Sequence, residues 1–205
     1  MAKQLKNIIL DCSETVLDFY SKDYLAKYLD DKERAYNIHY TIFRSDAWKQ
    51  YDYGYLTDEQ LQNAVLPLLE EQDRDAAVHY LSCWTDKYRV NEGMTELVAE
   101  LKQKGYRIYM LSNFPARFEL LWKRFDIFKM FDGRAVSYEA HLSKGGEMGL
   151  FDYIINKYSL DRDECVFVDD NQHLVDNAEK KGIRGIRFTN VNNLRLELEK
   201  IIKGE

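Results

Sequence analysis

Several short apolar runs in the chain end in residues that can carry acid–base or phosphoryl chemistry. The runs read NIIL (7–10), RIYML (107–111) and CVFV (165–168), and each is followed directly by carboxylate, hydroxyl or amide side chains. Those side chains are Asp11, Ser112, Asn113, Asp169 and Asp170. One lysine, Lys144, follows a fourth run, RAV (134–136), some eight residues downstream.

These residues would share one pocket if the runs are parallel strands, because ligands bind outside the carboxyl ends of the strands in an open parallel sheet. Clustered carboxylates repel one another unless a divalent cation lies among them. Oxygen ligands suit Mg²⁺, which shares its coordination sphere with waters and phosphate oxygens. Lys144 would neutralise charge on a transferring group, and Asp11 could act as a nucleophile that forms an acyl phosphate.

The elements that must position these residues alternate along the chain. Segments with helical periodicity separate the later runs: MTELVAELKQKG (94–105) and HLVDNAEKKG (173–182) each carry an apolar stripe and end at a glycine. Strands that alternate with helices of this length predict βαβ units. We therefore predict an α/β protein with a parallel sheet that is doubly wound by helices.

One interval breaks the alternation. Between Asp18 and Tyr88 the patterns are helical, with a capping box at TDEQ (57–60) and a proline, Pro67, that would kink or restart the helix that follows. We predict a helical insertion over 18–88 and an α/β core built from 1–17 and 89–205.

Composition limits the partners and the compartment. The formal net charge of −6 argues against nucleic-acid binding, which depends on neutralising phosphates with Lys and Arg. The three cysteines lack a CxxC pair, the start MAKQLKNIIL has too short an apolar run for a signal peptide, and no stretch approaches the ~20 apolar residues of a membrane span. We expect a soluble cytoplasmic protein, monomeric or homodimeric, that acts on a small phosphorylated metabolite and binds neither nucleic acid nor a membrane.

Four segments resemble, in order and spacing, the motifs of the haloacid dehalogenase (HAD) superfamily. They read IILDCSETVLDF, MLSNFPARF, LSKGGEMGLFDYI and VFVDDN. The insertion resembles the helical type-1 cap of that superfamily, and SDAWKQYDYGYLTDEQL within it resembles the cap signature of the glucose-1-phosphatase-like branch. The resemblance spans essentially the whole chain.

The resemblance implies a role for each candidate residue. Asp11 would be the nucleophile, Ser112 and Asn113 would bind phosphate, and Lys144 would be the lysine of the third motif. The implied cofactor is Mg²⁺. Apart from the resemblance, Arg44 in IFRSDAW (42–48), within the predicted cap, is a candidate substrate contact. The implied metal ligands are Asp11, Asp169, Asp170 and the backbone carbonyl of Ser13.

The chain departs from the family pattern at three places. Phosphatases of the family usually carry DxD, whose second Asp protonates the leaving group, and here Ser13 takes that position. The lysine is usually followed by Pro, whereas Lys144 is followed by Gly145 and Gly146. A frequent Asn after the acidic pair is replaced by Leu174.

Ser13 bears on the mechanism, because the loss of a general acid typically costs ~10²–10⁴ in rate. An anomeric sugar oxygen leaves more easily than a simple alcohol. Hydrolysis of a sugar-1-phosphate would therefore be less affected by Ser13 in place of the acid. Glu14 could replace the missing acid if the turn aims it inward. We therefore expect a Mg²⁺-dependent phosphomonoester hydrolase that forms an aspartyl-phosphate and acts on a small sugar phosphate. Two alternatives remain open, a haloacid dehalogenase-type hydrolase and a catalytically silent ligand- or partner-binding protein.

Overall fold

A computed structural model describes residues 4–204, except the side chain of Lys22. Strands in this part of the chain are β1 (Asn7–Leu10), β2 (Leu17–Phe19), β3 (Tyr88–Val90), β4 (Arg107–Ser112), β5 (Gly133–Val136), β6 (Cys165–Asp169) and β7 (Arg184–Arg187). Its α-helices are α1 (Ser21–Leu29), α2 (Lys32–Phe43), α3 (Asp46–Asp52), α4 (Asp58–Val65), α5 (Arg74–Cys83), α6 (Met94–Gln103), α7 (Phe118–Arg124), α8 (Ser137–Ala140), α9 (Gly149–Lys157), α10 (Gln172–Lys180) and α11 (Val191–Lys203).

A five-stranded parallel sheet with the order β5-β4-β1-β6-β7 forms the centre of the molecule. Its register pairs Leu10 with Met110 on one side and with Val168 on the other. The carboxyl ends of the three central strands therefore lie at one edge, where Asp11 follows β1. The predicted doubly wound α/β fold is confirmed, and the strands differ from the predicted runs by about one residue at their ends.

Apolar side chains of the central strands alternate between two faces, as the period of a strand requires. Ile8 and Leu10 belong to the core cluster on one face, whereas Ile9 belongs to the cluster on the other. Because helices cover both faces of the sheet, all four residues of β1 are buried. In the described part of the chain the longest helix, α11, has 13 residues, and no helix is long and apolar enough to cross a membrane.

The chain between β2 and β3 is helical, with the predicted capping box in place at the start of α4. The Thr57 side chain accepts from the backbone of Gln60, whose side chain in turn accepts from the backbone of Thr57. A 3₁₀ turn, Leu66–Leu68, follows α4 at Pro67, in agreement with the predicted restart.

The strands β2 and β3 differ from the prediction, which places no strand within 18–88. They pair antiparallel, at the two points where the helical insertion leaves and rejoins the chain, and the rings of Phe19 and Tyr88 stack across the pair at 4.4 Å between centroids. Each of these strands has only three residues, which is too few to show the alternating pattern of a strand in the sequence. The division into a core and a cap stays a prediction, and this ribbon joins the two segments.

The segment 52–55 of the predicted cap rests on the segment 137–143 of the predicted core. The Ser137 hydroxyl donates to the Asp52 carbonyl at 2.5 Å, and the Tyr53 hydroxyl donates to Ser143 Oγ at 2.8 Å. His141 Nδ1 lies 2.7 Å from the Tyr53 carbonyl. Gly54 has φ +76°, and a Cβ there would lie 2.7 Å from the carbonyl oxygen of Tyr138. Backbone of the cap thus meets backbone of the core with no room for a side chain.

We predict that Gly54→Ala lowers the free energy of unfolding by more than the ~1–2 kcal/mol that left-handed backbone alone costs an L-residue. The matched control is Gly105→Ala, because Gly105 has φ +89° and open space around its Cβ position. Urea unfolding monitored by tryptophan fluorescence measures both. Equal losses in the two variants would show that the close approach to Tyr138 adds nothing.

Candidate active site

A buried lysine joins the ends of two central strands. Lys144 Nζ lies 2.5 Å from Asp11 Oδ1 and 2.7 Å from Asp169 Oδ2. The side chains of all three residues are at most 8% exposed. The ammonium and the two carboxylates therefore form an ion triad that is closed to bulk water, at the edge of the sheet where the sequence predicts a site.

The backbone of Lys144 is held from two sides. Its N–H donates to Asn113 Oδ1 at 3.0 Å, and its carbonyl accepts from Asn177 Nδ2 at 3.2 Å. Asn113 follows β4, and Asn177 lies on the buried face of α10. Lys144 lies in a loop that contains Gly145 and Gly146. The two hydrogen bonds therefore hold the lysine backbone in place.

Each carboxylate of the triad has a defined place at the end of its strand. The Asp11 N–H donates to the Val168 carbonyl at 2.9 Å, which extends the pairing of β1 with β6 by one residue. Asp169 Oδ1 accepts from the Asn171 N–H at 2.9 Å, so both oxygens of Asp169 have protein partners.

Burial raises the pKa of the Asp11 carboxyl, the Lys144 ammonium opposes that shift, and the Asp169 charge adds to it. For Lys144, burial would lower the pKa, but the carboxylates Asp11 and Asp169 raise it above its ordinary value, so the lysine stays charged. Burial and the neighbouring Asp169 raise the pKa of Asp170. The site thus concentrates more negative charge than Lys144 offsets.

The carboxylates have the chemistry of a divalent-cation site. Asp11, Asp169 and Asp170 each present an oxygen, and these oxygens lie within 4.8 Å of one another. Asp11 and Asp169 are buried and Asp170 is half-buried. Hard oxygen donors with surplus negative charge fit Mg²⁺, which would offset the repulsion that Lys144 leaves among these carboxylates.

The other predicted residues differ in their burial and in their contacts. Ser112 is buried at the end of β4, beside β1. The Ser13 hydroxyl lies 3.0 Å from the Tyr88 hydroxyl. Glu14 is exposed with φ 59°. Arg44 is exposed, with its guanidinium 4.3 Å from the centre of the Tyr40 ring, and it does not line either cavity described next.

Two cavities lie between the predicted cap and the predicted core, and Asp52 and Asn113 line both of them. One measures about 160 Å³, and its wall is mostly aromatic. It is lined by Ser13, Phe19, Phe43, Trp48, Asp52, Trp84, Tyr88, Asn113, Phe114 and Pro115. The other, of about 190 Å³, is polar by comparison and reaches the glycines that follow Lys144.

Sequence reasoning missed two residues near the site. Asn177 interrupts the buried face of α10, where Val175 and Ala178 pack, and a polar residue on an apolar stripe is a signal that could have identified it. Asp52 ends α3 among other polar residues, and nothing in the spacing shows that it faces a cavity.

We predict that Lys144→Met, measured with a chelator present, lowers the free energy of unfolding by about 3–5 kcal/mol, because it leaves buried carboxylates without their partner. The control is Lys129→Met, which removes an exposed ion pair with Asp126 and should cost about 0–1 kcal/mol. Urea unfolding compares the two variants. Similar small losses would contradict a buried charged triad.

Two relatives of known activity resemble the chain over most of its length. A sesquiterpene phosphatase of Aspergillus oryzae is 24% identical over 163 residues, which are 79% of this chain and 82% of that protein. A drimenol cyclase of Aspergillus calidoustus is 26% identical over 164 residues, which are 78% of this chain. The match spans only 31% of the cyclase.

Solved structures share the fold at low identity. A HAD family enzyme of Bacteroides thetaiotaomicron, in complex with magnesium and inorganic phosphate, has a TM-score of 0.69 and 18% identity, with 91% of this chain and 96% of that chain covered. A dehalogenase with an intermediate complex has a TM-score of 0.71 and 19% identity, with 92% and 87% covered. These likenesses establish the fold and leave the reaction open.

The family itself follows from the sequence match. The model of the haloacid dehalogenase-like hydrolases matches residues 5–173, which include every residue of the ion triad and the half-buried Asp170. The chain therefore belongs to the haloacid dehalogenase-like hydrolases.

Proposed function

We propose that the protein is a Mg²⁺-dependent phosphomonoester hydrolase that acts through an aspartyl-phosphate on Asp11. The observation that carries this proposal is the juxtaposition of Asp11, Asp169 and Asp170, whose oxygens lie within 4.8 Å of one another. A dehalogenase has a halide as leaving group and needs no metal, so it has no use for this cluster of acids. A silent binding protein would retain the same repulsion without benefit.

The nucleophile is oriented by the lysine. Lys144 holds Asp11 Oδ1, which leaves Oδ2 to attack phosphorus. The Oδ2–P bond forms as the bond from phosphorus to the leaving oxygen breaks, and that oxygen departs with the electron pair and takes up a proton. Water then attacks phosphorus, releases inorganic phosphate and restores the Asp11 carboxylate.

The phosphate oxygens would be held by Ser112, Asn113 and Lys144. The Asn113 side-chain oxygen is already occupied by the Lys144 N–H, so Asn113 offers phosphate its N–H groups. Ser112 is buried beside Asp11 at the adjacent strand end. Charge-assisted hydrogen bonds in a buried site stabilise the charge that develops on a transferring phosphoryl group.

Asp11, Asp169 and Asp170 would hold the Mg²⁺, with the Ser13 carbonyl as the further ligand that the family pattern implies. A bound Mg²⁺ neutralises charge on the phosphoryl oxygens and on the clustered carboxylates. The magnesium and phosphate in the Bacteroides thetaiotaomicron enzyme support this assignment.

The leaving group would lie in the aromatic cavity beside Ser13. Sugar rings stack on aromatic side chains, but sugar hydroxyls need hydrogen-bond partners, and this wall offers few beyond Asp52 and Asn113. The cavity therefore favours a leaving group with an apolar face over the small sugar that the sequence predicts. The sesquiterpene phosphatase among the relatives supports an apolar alcohol as leaving group.

We predict Mg²⁺-dependent phosphate release from a panel of phosphomonoesters, and its loss by more than about 10³-fold in Asp11→Asn, which removes the nucleophile. The panel contains an aryl phosphate, a sugar-1-phosphate, a sugar-6-phosphate and an isoprenoid monophosphate. The control variant is Asp46→Asn, an exposed acid of α3 away from the cavities, which should keep full activity.

Each arm of the panel decides a separate question. A preference for the isoprenoid or aryl ester supports the apolar leaving group, whereas a preference for the sugar-1-phosphate supports the sequence-based expectation. Turnover of 2-haloacids without Mg²⁺, in place of phosphate release, would show a dehalogenase. Retained phosphatase activity in Asp11→Asn would overturn the nucleophile assignment.

A further inference from the structure

The proton for the leaving group has no donor at the usual position. Ser13 stands where the family pattern has its second Asp, and its hydroxyl lies 3.0 Å from that of Tyr88. Burial raises the pKa of Tyr88 well above its ordinary value, so the phenol holds its proton tightly. Glu14 is exposed. An alkoxide leaving group would therefore depart without help from the first loop of the core.

Asp52, in the predicted cap, is the acidic residue that lines the aromatic cavity. It is the last residue of α3 and lines the aromatic cavity together with Ser13. It also lines the second cavity, and Asn113, which holds the Lys144 backbone, lines both. Asp52 therefore lines the space proposed for the leaving group, and it shares both cavities with Asn113, a predicted phosphate ligand.

The position of Asp52 is fixed by the core as well as by its own helix. Its carbonyl accepts from Ser137 Oγ at 2.5 Å, and the same Oγ accepts from the Phe114 N–H at 2.8 Å. Phe114 directly follows Asn113. One serine thus ties the backbone of Asp52 to the loop that carries a predicted phosphate ligand.

We propose that Asp52 is the general acid that protonates the leaving oxygen, so that the cap supplies the group that Ser13 lacks. This inference rests on the proposed phosphomonoester hydrolysis. The protonated carboxyl gives its proton to the leaving oxygen as the P–O bond breaks and its electron pair passes to that oxygen. The resulting carboxylate regains a proton from solvent once the alcohol has left, and the water that attacks the aspartyl-phosphate passes its protons to the phosphate that it forms.

The protonation state of Asp52 suits this role. Burial raises the pKa of Asp52 to about 7, against a hydrogen bond from the Trp48 side chain and the charge of Lys144. An acid with a pKa near the working pH combines a protonated fraction with a useful driving force for transfer. The titratable groups that line the two cavities with Asp52 are Lys49, Tyr53 and Tyr88.

The test is Asp52→Asn, assayed on an alkyl phosphate and on 4-nitrophenyl phosphate. An alkoxide needs a proton to leave and 4-nitrophenolate does not, so kcat on the alkyl ester should fall by ~10²–10⁴ and on the aryl ester by at least tenfold less. KM should change little on either. Turnover of the aryl ester, with an unchanged urea midpoint, shows that the variant is folded.

The pH profile separates an acid from a structural residue. Asp52 gives a proton only while protonated, so wild-type kcat on the alkyl ester should decline as pH rises above about 7. That decline should be absent in Asp52→Asn, and Asp52→Glu should restore part of it. Asp46→Asn, on the same helix, should keep the wild-type profile.

Other outcomes overturn the inference. Equal losses of kcat on both esters would mean that Asp52 only positions the cap. The same would follow if the decline of kcat at high pH were unchanged in Asp52→Asn. A loss specific to the alkyl ester in Tyr88→Phe, with Asp52→Asn unaffected, would assign the proton to the Ser13–Tyr88 pair. If the proposed function is wrong, wild type and Asp11→Asn will be equally inactive on 4-nitrophenyl phosphate. That result differs from each outcome above, and it would also exclude the role of Asp52.

Discussion

A lysine buried between two carboxylates is the constraint on which the rest of the site depends. The ammonium of Lys144 can lie out of water only because Asp11 and Asp169 both contact it, and those two acids can lie side by side only because a cation separates them. This requirement fixes the register of the sheet, since Asp11 and Asp169 must end adjacent strands at the same level. It also fixes the loop that carries Lys144, through hydrogen bonds from Asn177 and to Asn113.

The same arrangement divides the chemistry between two parts of the chain. In the proposed mechanism the strand ends provide the nucleophile, the metal ligands and the phosphate site, at positions that the register of the sheet sets. The cap provides the wall of the cavity and, in the proposed mechanism, the acid. Ser13 is hydrogen-bonded to Tyr88 of the ribbon that joins the two, so its loop is tied to the predicted cap.

Much of this could be predicted from the sequence, because the core obeys local rules. Buried parallel strands are apolar runs with polar residues at their ends, so β1, β4 and β6 and the residues Asp11 and Asp169 can be recognised without a structure. What could not be predicted depends on contacts between distant segments. The short ribbon shows no period, and the backbone carbonyl of Asp52 accepts from Ser137, 85 residues away.

The resting place of the cap has a consequence for local stability. The core segment that accepts the cap, 137–143, runs directly into Lys144, and Ser143 is itself bonded to Tyr53. Opening of the cap would therefore remove hydrogen bonds from the neighbours of the lysine, and we expect the two regions to open as one cooperative unit. The amide hydrogen-exchange rates at 52–55 and at 141–146 should then change together. The buried charge of Lys144 would thus be excluded from water only while the cap is closed.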